Sequence, residues 1–179
     1  MKSILSLLLF CTTGFFAKAQ NEVVVDANAE MRVLNASFKA IKVSGAIDLY
    51  LSQSADEAVA VSASEDRFRQ GIKTIVENGV LKIYFEGDKL WNFIRNRKMK
   101  VYVSFRNMDK LEVSGASDVK GSGFTVDVCN AKASGASDIN IAVNKELTIN
   151  SSGASKISYT GNAMVKEIHS SGASKVKRQ

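Results

Sequence analysis

Proline is missing from all 179 residues. A chain with many bends and no proline suits a backbone whose N–H groups are nearly all committed to sheet ladders, to which proline cannot donate. Cysteine is almost as scarce. Cys11 lies in an apolar N-terminal leader, so Cys129 is the only thiol left once that leader is removed. No intramolecular disulfide can then form, and stability has to come from packing and backbone hydrogen bonds. His169 is the only histidine, which excludes a histidine-rich metal site, and no thiol is evidently placed to make a catalytic triad with it. Long runs of one charge are also absent. The formal net charge is +6, but the basic residues are scattered, and the densest cluster is Arg95, Arg97, Lys98 and Lys100. A nucleic-acid binder of this size shows a stronger basic stripe, so nucleic acid is not an expected partner.

The N-terminus reads as an export signal. Met1-Lys2 is a short basic start, Ile4 to Phe16 is a nearly unbroken apolar run, and Ala17-Lys18-Ala19 supplies small residues for a signal-peptidase cut before Gln20. The run is about 13 residues, short of the roughly 20 that span a bilayer. Lipidation at Cys11 is disfavoured by Phe10, which stands where a small residue is expected. The expected organisation is a signal peptide over 1–19 and a single β-solenoid domain over 20–179, with regular repeats from about 108 to 179.

A short internal repeat organises the chain. It recurs as Ser44-Gly45-Ala46-Ile47, Ser114-Gly115-Ala116-Ser117, Ser134-Gly135-Ala136-Ser137, Ser152-Gly153-Ala154-Ser155 and Ser171-Gly172-Ala173-Ser174, the last four starting 20, 18 and 19 residues apart. A near-constant period marks stacked structural units. Positions four before glycine (Ile41, Leu111, Ala131, Ile149, Ile168) and four after it (Leu49, Val119, Ile139, Ile157, Val176) are apolar. Positions three before (Lys42, Glu112, Lys132, Asn150, His169) and three after (Asp48, Asp118, Asp138, Lys156, Lys175) are polar. This alternation predicts half-buried strands on both sides of a bend. Glycine at the bend can take a conformation that side chains forbid, and the alanine after it is expected on the crowded inside of the corner. Three short strands per repeat (Lys110–Ser114, Ser117–Lys120 and Phe124–Val128 in the first complete one) predict a three-sided parallel solenoid, right-handed by default.

The stretch from Ala55 to Lys110 is less regular. Ala58–Ala63, Ile72–Glu77, Val80–Glu86 and Lys100–Phe105 alternate as strands, and Asn78-Gly79 signals a tight hairpin. Ser64 to Gln70 reads as one helical turn capped by Ser64. Gly87–Lys98 reads as a loop or lid.

The leader, the Val43-Ser44-Gly45-Ala46-Ile47-Asp48-Leu49 strand, the Asn78-Gly79-Val80-Leu81-Lys82-Ile83 hairpin and the four late Ser-Gly-Ala-Ser corners resemble the putative auto-transporter adhesin, head-GIN domain family. Its members are exported proteins common in Bacteroidetes-type bacteria. The resemblance covers about Phe38 to Val176, without the proline the family leads one to expect near Ala163. It implies a right-handed parallel β-helix and brings no catalytic residues to carry over.

Candidate chemistry is sparse. Asp48, Asp118 and Asp138 share one outward row that could hold a cation, but the row continues as Lys156 and Lys175, which points to charge compensation between strands. His169 falls in an outward polar row, and Cys129 among Val126, Val128 and Ala131 reads as a small buried thiol. Trp91, Phe93, Arg95 and Arg97 combine aromatic and guanidinium groups suited to sugars, peptides or anionic polymers. The competing role for these four is to cover an open end of the solenoid.

The expected function is a noncatalytic exported binding or scaffold protein, adhesin-like or associated with the cell envelope. It would sit in the periplasm, at the cell surface or outside the cell. It takes no cofactor, no metal and no membrane span in the mature chain, and its partner is an envelope, glycan or protein ligand. The alternative is a carbohydrate-active β-helix enzyme of polysaccharide lyase or hydrolase type. A homo-oligomer built through the terminal coil is a third reading, opposed by the charges of Lys175, Lys177 and Arg178.

Overall fold

The computed structural model describes residues 26–87, 97–121 and 124–179. The proposed leader and Trp91, Phe93 and Arg95 lie outside the described residues.

Alternation of apolar and polar residues sets almost every element, because successive strand side chains point to opposite faces. The chain enters with β1 (Glu30–Arg32), followed by β2 (Ala40–Gly45) and β3 (Ile47–Gln53), which meet at the first Ser-Gly-Ala corner. Next come β4 (Ala58–Ser62), the single-turn helix α1 (Asp66–Gly71), β5 (Ile72–Glu77) and β6 (Val80–Phe85). β7 (Met99–Phe105), β8 (Lys110–Gly115), β9 (Asp118–Gly121) and β10 (Val126–Ala133) follow. The chain ends with β11 (Asp138–Ser151), β12 (Lys156–Thr160), β13 (Met164–Ser170) and β14 (Lys175–Arg178).

These strands form one 14-stranded sheet with two halves that share β11. The first half is ordered β1-β4-β7-β3-β9-β11-β12-β14, and the second β5-β6-β2-β8-β10-β11-β13. Inward rows from the two halves meet in the core. Ile41, Leu111, Ala131 and Ile149 come from the second half and Leu49, Val119, Ile139 and Ile157 from the first, all at 0 or 1% exposure.

The sheet is mixed and curls into a nearly closed, barrel-like shape, which overturns the expected regular right-handed parallel β-helix. Two findings carry the correction. The first is antiparallel pairing: β1 with β4, β4 with β7, and β5 with β6. The second is the number of strands in a repeat. Phe124–Val128 is not a third side, because β10 runs on from Val126 through Ala133 and β11 runs for 14 residues unbroken. β11 changes sides within itself. Asn144, Lys145 and Glu146 are exposed in succession between buried Val143 and buried Leu147, so the strand bends there, and its pairing with β10 shifts register between Val143 and Glu146. No glycine or proline marks that bend, and alternation alone does not disclose it.

The corners differ from expectation in one respect. Alanines 46, 116, 136, 154 and 173 are exposed, while the serines two after glycine turn inward, with Ser117 and Ser137 at 0% and Ser155 at 2% exposure. Their hydroxyls donate to carbonyls of their own or the preceding corner. Ser117 Oγ donates to Gly45 O (3.0 Å), Ser137 Oγ to Ser134 O (2.9 Å) and Ser155 Oγ to Ser152 O (2.8 Å). Successive corners are tied by Ala116 N–H, Ala136 N–H and Ala154 N–H, each 2.8 Å from the preceding corner glycine's carbonyl. Helix α1 also begins later than expected. Its N-cap position is Glu65, which makes no side-chain capping bond, and Ser64 Oγ instead donates to Arg97 O (2.9 Å).

Candidate functional site

Stacking converts the sequence repeat into columns of like side chains at the strand spacing of about 4.8 Å. On the outer surface of the second half-sheet, two such columns border a groove of about 750 Å³. One column runs Lys42, Glu112, Lys132, Asn150 and His169, each in register with the next across β2, β8, β10, β11 and β13. The other is the serine that precedes each corner glycine: Ser114, Ser134, Ser152 and Ser171. Ser114 Oγ donates to Val43 O at 3.4 Å. Among the described residues, the hydroxyls of Ser134, Ser152 and Ser171 have no partner within the chain, although the carbonyls of Ser134 and Ser152 accept from Ser137 and Ser155.

Glu112 anchors the charged end of the groove. Lys110 Nζ lies 2.7 Å from its carboxylate, and Lys42 and Lys132 each approach to 3.7 Å. The hydrogen bond from Lys110, reinforced by the three positive charges and opposed by partial burial, holds the Glu112 carboxyl below its ordinary pKa. A carboxylate so neutralised stays ionised and is a poor general acid. Of the other carboxylates on this face, Glu167 pairs with His169 Nε2 at 2.5 Å and Glu146 with Lys166 Nζ at 3.3 Å. Three strand spacings, roughly 14 Å, separate the Glu112 and His169 strands. That exceeds the 5 to 9.5 Å between the paired carboxylates of glycoside hydrolysis. The groove offers hydroxyl, amide, ammonium and imidazole groups for binding, without the paired acid and base of that chemistry.

The remaining candidates fall in other places. Asp48, Asp118 and Asp138 do line up across β3, β9 and β11, with Asp138 in register with Lys156 and Lys120 Nζ 3.8 Å from Asp48. No cluster of three or more metal-ligating side chains occurs among the described residues. Cys129 is 1% exposed, and burial, with Asp109 nearby, pushes its thiol up to about 12, so it carries little thiolate at neutral pH. Arg97 is half-buried with its guanidinium 5.0 Å over the Phe85 ring, while its carbonyl accepts from Ser64. The five corner glycines 45, 115, 135, 153 and 172 all have positive φ.

Sequence reasoning missed the groove because its side chains are unremarkable one by one. The available signal was the serine repeated before every glycine. It also missed a pair on the first half-sheet, where Tyr50 and Tyr102 stack with centroids 5.0 Å apart and Lys120 Nζ lies 5.4 Å over the Tyr50 ring. Tyr102 donates to Asp26 Oδ2 (2.8 Å), which holds that carboxyl below its ordinary pKa.

Fold and groove define an all-β protein with a repetitive polar groove on one face. The chain belongs to the family described as putative auto-transporter adhesin, head GIN domain, which matches residues 37–177. A putative adhesin from Bacteroides fragilis is similar in structure at 17% identity and a TM-score of 0.48, covering 86% of this chain and 98% of its own. A putative adhesin from Parabacteroides merdae is 13% identical with a TM-score of 0.45, covering 86% and 97%. A putative cell adhesion protein from Clostridium sporogenes is 12% identical with a TM-score of 0.40, covering 84% and 99%. No curated protein matches the chain. No helix among the described residues is long and apolar enough to cross a membrane.

Proposed function

We propose that this chain is a noncatalytic adhesin-like binding protein, exported by cleavage before Gln20 and working as one domain from residue 20 to 179. Its binding site is the groove along the serine column, and its ligand is an extended neutral glycan of the cell envelope or of a surface the cell meets. The observation that carries this reading is the column of unpartnered hydroxyls at Ser134, Ser152 and Ser171 beside Lys132, Asn150 and His169. A polyhydroxylated chain lying across the strands meets the same donors and acceptors at each step. One such hydrogen bond contributes about 1 kcal/mol net, so useful affinity requires several repeats engaged together. Glu112 offsets only part of the charge of Lys42, Lys110 and Lys132, so the reading rests on the hydroxyl and amide columns rather than on charge.

The test is a screen of residues 20–179 against envelope and host-surface glycans, repeated with Ser134→Ala, Asn150→Ala and Ser152→Ala combined. Retention of a neutral glycan by the parent, lost in the triple variant at unchanged melting temperature, is the expected result. Equal retention by both proteins rules out the groove. Export is read separately, by mass spectrometry of the N-terminus from the native host.

A further inference from the structure

The rows buried in the middle of the molecule reach solvent at its C-terminal end. Leu111, Ala131 and Ile149 are 0% exposed, whereas Ile168, next in the same register, is 49% exposed. Among the described residues, β13 pairs only with β11, and β14 only with β12. Lys175 N–H donates to Ser155 O (2.9 Å) and Gln179 N–H to Tyr159 O (2.9 Å). With a strand period of two, the amides of Val176 and Arg178 therefore point away from β12, toward the open edge. Such an edge is a template for another strand.

The charge along this edge has one sign. Lys175 is in register with Lys156, Lys177 is the next outward residue, and Arg178 follows. Among the described residues, none of these four cations forms an ion pair, and Arg178 donates to the neutral Gly161 carbonyl (2.8 Å). Two copies joined at this end by a two-fold axis would face these cations with themselves, which is unfavourable across paired strands.

We propose that the β14 edge docks an extended polypeptide segment in which acidic and apolar residues alternate. The segment adds as a strand. Its backbone takes the outward amides of β14, its apolar side chains cover Val176 and Ile168, and its carboxylates lie along Lys175 and Lys177. This surface is separate from the groove and does not depend on it.

The test uses fluorescence anisotropy with two labelled peptides, one alternating glutamate with valine and one alternating lysine with valine. Residues 20–179 bind the acidic peptide at least about tenfold tighter than the basic one, with the preference shrinking as salt rises. Lys175→Glu with Lys177→Glu, both at exposed positions, reverses the preference. Val176→Pro removes an outward amide without breaking a bond to β12 and weakens the acidic peptide at least tenfold at unchanged melting temperature. Failure to bind either peptide, equal binding of both, or an unchanged preference in the double glutamate variant overturns the proposal. So does a dimer by sedimentation that the double glutamate variant abolishes.

Discussion

Replacing Gly135 by alanine places one methyl group where the structure has no room for it. Gly135 has φ +80°, and an added Cβ would lie 2.3 Å from Gly115 O and 3.1 Å from Gly115 C and N. All three are backbone atoms of the preceding corner, held by the Ala136 N–H to Gly115 O bond, so they cannot swing aside. Gly79, in the β5–β6 turn, separates the two costs. Its φ is +73°, but a Cβ there meets nothing within 4 Å. Gly79→Ala therefore carries only the left-handed backbone penalty, about 1 kcal/mol. Gly135→Ala carries the same penalty plus an overlap that forces two repeats apart, a further cost of about 2 kcal/mol. Urea denaturation followed by far-UV circular dichroism should show Gly135→Ala less stable than the parent by about 3 kcal/mol and less stable than Gly79→Ala by about 2 kcal/mol. Equal losses in the two variants would mean that the corners do not stack glycine on glycine.

Three further outcomes follow from individual residues. Ser155→Ala removes the donor to Ser152 O and unpairs Ser151 Oγ in a buried corner, so chemical denaturation should show a loss of about 2 kcal/mol. Cys129, with its thiol raised to about 12, should react with a thiol reagent at pH 8 only as fast as the protein opens, and labelling at the rate of a free thiol would contradict its burial. Glu112 has a folded-state pKa below its unfolded one, so its contribution is present above the unfolded carboxyl pKa and lost as pH falls through the folded value. Glu112→Gln should therefore be less stable than the parent at pH 7, with the gap closing in strong acid, and a gap independent of pH would contradict the ion cluster.

The parts of the fold legible in the sequence are those written locally. The offsets around each Ser-Gly-Ala corner placed Ile41, Leu49, Leu111, Val119, Ile139, Ile149 and Ile157 inward, because a period of two reports which face a side chain takes. Asn78-Gly79 announced its hairpin, with both residues at positive φ. Pairing between distant segments left no such mark. The antiparallel contacts of β4 with β7 and β1 join segments far apart in the chain, and alternation reads the same for either direction. The bend at Lys145 was invisible because neither glycine nor proline marks the irregularity where Asn144 and Lys145 drop out of the pairing register. Periodicity was also silent on what covers each row: Ile168 carries the same pattern as Ile149 but is 49% exposed. The groove was hidden for a related reason. Ser134, Ser152 and Asn150 look like ordinary outward polar residues until parallel register sets them in columns.

Binding without chemistry is the centre of this account, and it is tested by measuring reducing sugar ends over time when residues 20–179 are incubated with the glycan they retain. The account predicts stoichiometric, saturable binding and no release of ends above the protein-free control. Saturable release of sugar products by the purified parent protein, abolished by Glu112→Gln or by Asp118→Asn with Asp138→Asn, would contradict it.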